Sequence, residues 1–255
     1  MIAILSPAKT MKAGDYPDIG KHDHPRHIAR SQRLVNALKR LGPEAMQKLM
    51  GISPKLAGLN VARYAEWRWP PDEGQAHPSL FAFRGEVYNG LDADTLSIQE
   101  LAYMQDHLRI LSGLFGLLRP FDLILPYRLE MGTRLKTSPH PDLYGFWGDL
   151  LAKCLTEDLK SQGDDVLVNL ASQEYFKAVD RPALKARVIT PVFKERHGNT
   201  YRMVTLFAKH ARGSMARFIA KHCLSDVRDI QGYSENGYHF HPGLSDSHTW
   251  VFTRG

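Results

Sequence analysis

The sequence predicts an α/β protein of the mixed, α+β-like kind, with a central mixed sheet surrounded by helices. Short apolar runs that favour strands alternate with segments whose apolar residues recur at helical spacing, a pattern typical of α/β sheets. Two β-rich runs, at 187–195 and 200–207, flank a His-Gly-Asn turn signal that predicts an antiparallel hairpin. Because the other strands alternate with helices, the sheet should contain both strand directions.

The composition predicts one compact domain over residues 1–255. The chain is 43% hydrophobic and 24% charged, and it contains no internal repeat, low-complexity run or clear linker. No apolar run reaches the roughly 18 residues that a membrane-spanning helix needs, and the start lacks the features of a signal peptide. We therefore expect a cytoplasmic protein with no membrane partner. Cys154 and Cys223 are expected to be reduced core residues.

The formal net charge is +6 and the pI is about 9.3. This balance favours anionic partners such as nucleic acid, nucleotides or acidic lipid headgroups, but it does not choose among them. A basic helix predicted at 25–41 fits the same trend, although a face of one charge is also common on ordinary solvated helices.

The chain begins with a short apolar run at 2–5 that predicts a buried strand. Ser6 and Pro7 end this strand, and Lys9 follows them. Open α/β sheets commonly bind ligands at the carboxyl ends of their strands, so Lys9 is a candidate ligand contact. A surface lysine on a turn is the alternative interpretation.

The segment 43–64 predicts two short helices joined by a tight turn at Gly51. Ser53 is a good N-cap and Pro54 an ideal first residue for the second helix. That helix is expected to bury four side chains: Leu56, Ala57, Val61 and Tyr64.

The turn resembles the helix-hairpin-helix motif of DNA-binding proteins, in which free N–H groups at a helix start hold a phosphate irrespective of base identity. Lys55 would add a positive charge at the same place. The second glycine of the motif is replaced by Ser53, which would carry a steric cost if that position required a positive φ. A DNA contact and a purely structural hairpin are both compatible with this pattern.

Apolar spacing predicts further elements in the middle of the chain: strands at 80–83 and 166–170, and helices at 97–108 and 142–159. The junction after the second of these strands places Asn169, Ser172 and Glu174 where α/β sheets commonly form sites. Ser172 is equally well interpreted as an N-cap.

The stretch 108–135 is the most apolar part of the chain, yet it is interrupted by charges. They are Arg109, Arg119, Arg128, Glu130 and Arg134. A buried charge is costly unless it is paired or faces a water-filled cleft. This stretch is therefore expected to form both part of the core and the wall of a positively charged site.

Near the carboxyl end, Ser214 is predicted to N-cap a helix, and residues 248–252 are predicted to form a strand. Lys209, Arg212 and Arg217 would form a basic cluster beside the start of that helix, where the helix dipole also favours anions.

Six long blocks of the chain resemble, in order, one known family, the YaaA family of bacterial peroxide-stress proteins. The blocks are LSPAKT at 5–10, FRGEVYNGL at 83–91, HLRILSGLFGLLRPFDLILPYRLEMG at 107–132, DLYGFWGD at 142–149, VLVNLASQEYF at 166–176 and FAKHARGSMARFI at 207–219. The resemblance covers nearly the whole chain and rests on idiosyncratic blocks instead of one short pattern.

The resemblance implies a cytosolic protein, induced in peroxide stress, that limits damage from intracellular iron and binds double-stranded DNA, with distorted or damaged duplex as one option. It implies a family-specific mixed α/β fold with a helix-hairpin-helix element at about 43–66 and a basic cleft. By position, the DNA-binding residues would be Gly51, Ile52, Ser53, Lys55 and Ala57. The residues lining the cleft would be Ser6, Lys9, Arg128, Glu130, Asn169, Glu174, Lys209, Arg212 and Arg217.

An enzyme acting on a phosphorylated or carboxylated small molecule in the cleft is the alternative function. Arg128 and Glu130, two positions apart in an apolar segment, are typical of a catalytic site and equally of a structural ion pair. The sequence assigns no catalytic residue and no cofactor.

Direct metal binding is a third hypothesis, because histidines cluster at two places in the chain. They are His22, His24 and His27 near the start, and His239 and His241 near the end. Both clusters lie in polar segments without accompanying cysteines, so no metal site is predicted.

Overall fold

The computed structural model describes residues 1–12 and 14–255 and is built around an eight-stranded mixed sheet, which confirms the predicted fold class. The strands are β1 (Ile2–Leu5), β2 (Thr10–Met11), β3 (His77–Pro78), β4 (Phe83–Arg84), β5 (Leu108–Ser112), β6 (Gly116–Leu118), β7 (Leu123–Ile124), β8 (Val166–Asn169), β9 (Arg187–His197), β10 (Thr200–Arg202), β11 (His239–Phe240) and β12 (Thr249–Arg254). The α-helices are α1 (Ile28–Leu38), α2 (Pro43–Met50), α3 (Pro54–Ala65), α4 (Ser79–Ala82), α5 (Glu86–Leu91), α6 (Ile98–His107), α7 (Leu143–Trp147), α8 (Leu150–Ser161), α9 (Gln173–Phe176) and α10 (Thr205–Lys221).

The sheet runs in the order β11, β12, β9, β8, β1, β5 and β6, and β10 pairs with the end of β9. Strand β1 is parallel to β5 and β8, and β9 is parallel to β8 and β12. The pairs β5–β6, β9–β10 and β11–β12 are antiparallel. Every residue of β1 and β5 is buried, as expected for strands in the middle of a sheet that is covered on both faces.

Several elements that local patterns predicted are present with small changes at their ends. The helix predicted at 97–108 is α6, and it begins with a capping box. The Ser97 hydroxyl accepts a hydrogen bond from the Glu100 N–H, and the Glu100 carboxylate accepts one from the Ser97 N–H, at 3.3 and 2.7 Å. Among the described residues, no helix combines the length and the apolar character needed to cross a membrane.

The strand predicted at 80–83 is wrong, because this segment forms the short helix α4 and only Phe83 continues into a strand. Backbone N–H groups of Ser79 and Leu80 donate to the carbonyls of Asp122 and Pro120. The segment is buried throughout, so apolar residues face every direction around this turn. A continuous apolar run does not distinguish a buried strand from a buried helical turn.

The single helix predicted at 142–159 is also wrong, because it is divided into α7 and α8. Gly148 separates them with φ 53° and ψ −131°, a conformation that residues with a Cβ rarely adopt. The apolar side chains on both sides are buried as expected, so the pattern predicted the core correctly but did not predict the break between the two helices.

The largest correction concerns α10, which begins at Thr205 and not at Ser214. The predicted second strand of the hairpin therefore ends at Arg202. Ser214 is buried within the helix and accepts a hydrogen bond from the Asn236 side chain at 3.2 Å. The basic cluster accordingly lies along the helix and not beside its start.

Gly213, the residue before Ser214, lies inside α10 at its crossing with α5. A Cβ at this position would overlap the carbonyl oxygen of Val87, and one at Gly90 would overlap the carbonyl oxygen of His210. These two glycines allow α5 and α10 to cross with their backbones in contact. Of the two free cysteines, Cys154 is buried as predicted, whereas Cys223 is exposed and does not belong to the core.

Candidate functional site

The helical hairpin (residues 43–65) turns through a left-handed Gly51, with φ 61° and ψ 43°. Ser53 has φ −67° and ψ 156° and is the N-cap of α3, so this position does not require a glycine. Its hydroxyl accepts a long hydrogen bond of 3.4 Å from the Leu56 N–H. Pro54 occupies the first helical position, where its missing N–H costs no hydrogen bond.

The five residues predicted for DNA binding divide into two groups. Gly51, Ser53 and Lys55 are exposed at the tip of the hairpin, whereas Ile52 and Ala57 are buried and anchor it to the body. Within residues 1–12 and 14–255, the N–H groups of Ser53 and Lys55 have no hydrogen-bond acceptor. The tip therefore combines two exposed donors with an ammonium group at the start of a helix.

Packing fixes the direction in which this tip points. The buried Tyr64 hydroxyl donates a hydrogen bond of 2.7 Å to the carbonyl oxygen of Arg128, and so ties α3 to the wall of the cavity described next. One expectation is wrong, since Leu56 is 38% exposed and not buried. It lies beside Leu59, which is 45% exposed, on the outer face of α3.

A cavity of about 430 Å³ lies at the carboxyl ends of the adjacent strands β1 and β8. Seven of the nine residues predicted for the cleft line it: Ser6, Lys9, Arg128, Glu130, Glu174, Lys209 and Arg212. Other lining residues come from the 83–91 block and were not predicted, among them Arg84 and Glu86. The two glycines of that block were the available signal, because Gly85 has φ 146° and a Cβ at this position would lie 3.6 Å from the Ala8 Cβ in the cavity wall.

The other two residues predicted for the cleft, Asn169 and Arg217, do not line the cavity and instead form hydrogen bonds beside it. The Asn169 side chain is buried, accepts from the Ala171 N–H at 3.1 Å and donates to Thr190 at 3.4 Å. Arg217 donates to the carbonyl of Asp92 at 2.7 Å, at the end of α5. Both side chains thus stabilise turns that follow a strand or a helix.

Several charged side chains of the cavity are held by ion pairs or hydrogen bonds. Arg128 donates to Glu130 at 2.9 Å, and Lys9 lies 3.1 Å from the same carboxylate. The carboxylate of Glu174 accepts from the Gly132 N–H at 2.8 Å. The stretch 108–135 thus contributes buried core residues and, through Arg128 and Glu130, part of the polar wall of the cavity.

Lys209 and Arg212 differ from these groups, because neither has an acidic partner within the described part of the chain. They lie three positions apart on α10 and both line the cavity. Burial lowers the pKa of Arg212, which nevertheless stays charged at any physiological pH.

Ser6 and Ser172 join the ends of β1 and β8 at the cavity. The Ser6 hydroxyl accepts from the Ser172 N–H at 2.8 Å and lies 3.2 Å from the Ser172 hydroxyl. Ser172 occupies the N-cap position of α9, but its side chain makes no capping hydrogen bond.

Three buried tyrosines, Tyr88, Tyr127 and Tyr175, line the cavity as well. The Tyr88 hydroxyl donates to the Ser6 carbonyl at 3.1 Å, and the Tyr127 hydroxyl lies 2.6 Å from that of Ser112. Burial raises the pKa of all three phenols, so they are neutral at physiological pH. With two hydroxyls bonded to the protein, these rings offer mainly apolar surface.

The two histidine clusters do not form metal sites in the described regions, where no three His, Cys, Asp or Glu side chains are grouped to hold an ion. His22 lies 3.1 Å from the Tyr16 hydroxyl, and His27 lies 3.5 Å from the Cys154 sulfur.

Comparison with known sequences finds whole-length relatives of this chain. A family model described as peroxide stress protein YaaA matches residues 1–244. Proteins named UPF0246 protein are similar over the whole chain. The one from Cupriavidus metallidurans is 47% identical over 257 residues, covering 100% of this chain and 98% of the relative. Those from Shewanella denitrificans and Chromobacterium violaceum are 46% and 45% identical over 254 residues, covering 100% of this chain and 98% and 99% of the relatives.

Proposed function

Because the chain belongs to the family of peroxide stress proteins called YaaA, we propose that it protects DNA during peroxide stress by binding the double helix through the tip of its helical hairpin. The contacts would be made to phosphates and would not depend on base sequence. The observation that carries this proposal is the pair of exposed N–H donors, at Ser53 and Lys55, beside the Lys55 ammonium group.

The physics of the tip favours a phosphate over other partners. N–H groups at the start of a helix carry partial positive charge, and the helix dipole adds to it. The side chain of Lys55 supplies a full charge, and the chain as a whole carries a formal charge of +6. These features resemble the phosphate contacts that position proteins on a duplex and carry no sequence information.

Protection against iron would follow from the same contacts. A duplex concentrates cations around its phosphates, and a protein that neutralises those phosphates releases the cations. Ferrous iron is one such cation, and with hydrogen peroxide it gives ferric iron, hydroxide and a hydroxyl radical. Releasing ferrous iron from the duplex moves this reaction away from the sugars and bases. We propose that the protein acts in this way in the cytosol.

The test compares the wild-type protein with Lys55→Glu and with Lys185→Glu, a matched control that changes an exposed lysine elsewhere by the same charge. Wild-type affinity for duplexes of unrelated sequence should be similar and should fall steeply as salt rises. Lys55→Glu should weaken binding about tenfold or more and reduce the salt slope by about one phosphate contact, because it reverses a charge at the phosphate.

The same three proteins should be compared for protection of plasmid DNA against ferrous iron and peroxide. Wild type and Lys185→Glu should protect, and Lys55→Glu should protect poorly. Equal duplex binding by Lys55→Glu and wild type at moderate salt would rule out the hairpin as the DNA contact.

A further inference from the structure

The cavity at the ends of β1 and β8 is lined by two basic side chains that form no ion pair within the described residues. Arg128 and Lys9 share Glu130, and Arg84 lies 3.5 Å from Asp94. Lys209 and Arg212 alone among the basic lining residues lack an acidic partner within residues 1–12 and 14–255. A half-buried arginine with no counter-charge needs water or a bound anion to solvate it.

We propose that this cavity binds a small organic phosphate monoester, with the phosphate held by Lys209 and Arg212 and the organic part packed against the tyrosine rings. This site is separate from the proposed DNA contact on the hairpin, and the proposal does not depend on that contact.

The charge of the site selects the phosphate. Residues three apart on a helix lie on the same side, so the Lys209 and Arg212 side chains can approach one group together. Two cations match the two negative charges of a phosphate monoester better than the single charge of a carboxylate. The planar Arg212 guanidinium can also bind two phosphate oxygens at once.

The carboxylates in the wall do not compete strongly for these cations. Glu130 is shared by Arg128 and Lys9, and Glu174 accepts the Gly132 N–H. Glu86 accepts a hydrogen bond of 3.3 Å from the Asn89 side chain.

The remaining surface selects the organic part. Tyr88, Tyr127 and Tyr175 present neutral rings, and Leu129 and Leu170 complete an apolar wall. Aromatic rings pack well against flat, apolar groups. The volume of about 430 Å³ falls within the range of roughly 300–1,000 Å³ that is typical of small-molecule pockets. A double helix does not fit into a space of this size.

The crossing of α5 and α10 holds this geometry in place before a ligand arrives. Backbone contact at Gly90 and Gly213 fixes the distance between the helix that carries Lys209 and Arg212 and the helix that carries Tyr88. A site whose groups are already in position loses less entropy on binding, which favours affinity for a small ligand.

Isothermal titration calorimetry with adenosine 5′-monophosphate, adenosine and inorganic phosphate tests the proposal. The monophosphate should bind at least about tenfold more tightly than either adenosine or phosphate, because only it engages both parts of the cavity. Arg212→Met should weaken monophosphate binding at least about tenfold. The control Lys221→Met, which removes one exposed charge from the end of the same helix, should leave it unchanged.

Lys209→Met should weaken monophosphate binding to a similar extent as Arg212→Met. Because Lys209 is exposed, its replacement should not disturb folding, so the test does not depend on whether the arginine variant folds. Absence of binding by all three compounds, or equal binding by wild type and Lys209→Met, would overturn the proposal. So would displacement of the monophosphate by a short DNA duplex, since the cavity would then belong to a DNA surface.

Discussion

Arg109 shows how a charged side chain in the apolar stretch 108–135 can be buried, because it has both an ion-pair partner and hydrogen-bond acceptors. It is only 6% exposed, and its guanidinium donates to Asp158 at 2.7 Å and to backbone carbonyls of the preceding helix. Asp158 also accepts two hydrogen bonds of 2.8 Å from Arg26. Two arginines from distant parts of the chain thus share one carboxylate.

The acidity of Asp158 follows from these contacts. Burial alone would raise its pKa, but the hydrogen bonds and charges of Arg26 and Arg109 outweigh burial and hold the pKa below its ordinary value of 3.8. A lowered pKa in the folded protein contributes stability at pH values above the unfolded pKa. That contribution is lost as the pH falls below 3.8 through the folded pKa.

We predict that Asp158→Asn lowers the free energy of unfolding by about 3–5 kcal/mol at pH 7, because it leaves Arg109 buried without a counter-charge. The difference from wild type should be constant at neutral pH and shrink as the pH falls below 3.8. Urea denaturation at several pH values measures it, and Glu157→Gln, an exposed neighbour on α8, is the control. A difference that does not change with acidification would contradict this account.

The sequence predicted that the charges of this stretch must be paired or face a cleft, and both outcomes occur. Arg109 and Arg119 form ion pairs, with Asp158 and Asp122, whereas Arg128 and Glu130 line the cavity. Local spacing could suggest the pair between Arg119 and Asp122, three positions apart, and the pair between Arg128 and Glu130, two positions apart. The partner of Arg109 lies far along the chain, so its role depends on packing that local patterns do not contain.

At the scale of elements, the crossing of α5 and α10 depends on glycine. Gly213 lies inside α10, where glycine normally weakens a helix, yet any larger residue would overlap the Val87 carbonyl. Gly58 provides a direct comparison, because it also lies inside a helix and a Cβ there would meet nothing within 4 Å.

Alanine at these two glycines should therefore have opposite effects. Gly58→Ala should raise the free energy of unfolding by about 0.5–1 kcal/mol through helix propensity. Gly213→Ala should lower it by at least about 2 kcal/mol, because α5 must move away from α10. Chemical denaturation of both variants measures the change, and a Gly213→Ala protein as stable as wild type would show that the crossing is not tight.

The elements that the sequence predicted well are those whose ends are determined locally, such as α6 with its Ser97 cap and α3 with Ser53 and Pro54. Two of those it predicted wrongly depend on distant contacts. The α4 segment is shaped by the carbonyls of Pro120 and Asp122, and the glycine within α10 is explained only by α5. No local pattern distinguishes a glycine that ends a helix from one that lets another backbone approach.

At the scale of the whole molecule, one hydrophobic cluster extends from Met1 to Phe252, and from this we infer a single domain over residues 1–255. The long sequence blocks identified the family, and the match over residues 1–244 confirms it. Seven predicted cleft residues meet in the cavity, and they come from several elements. Ser6, Lys9 and Glu174 follow the parallel strands β1 and β8, Arg128 and Glu130 follow β7, and Lys209 and Arg212 lie on α10. The sequence could not show which basic side chains of the cavity lack an ion-pair partner, because this depends on where every neighbouring carboxylate lies in the folded protein.

The hairpin and the cavity are distinct features joined by one hydrogen bond, from the Tyr64 hydroxyl to the Arg128 carbonyl. In our account the hairpin tip contacts DNA, and the cavity binds a small phosphate. The proposed DNA contact involves specific backbone N–H groups, and each of these groups can be observed separately.

A titration of ¹⁵N-labelled protein with a short DNA duplex at low salt, followed by amide NMR shifts, tests whether the hairpin tip contacts DNA. The largest shifts should occur at the amides of Ser53 and Lys55, smaller shifts should follow at neighbouring tip residues, and all of these changes should reverse on adding salt. Duplex binding that leaves these two amides unshifted while moving others would contradict the proposed DNA contact.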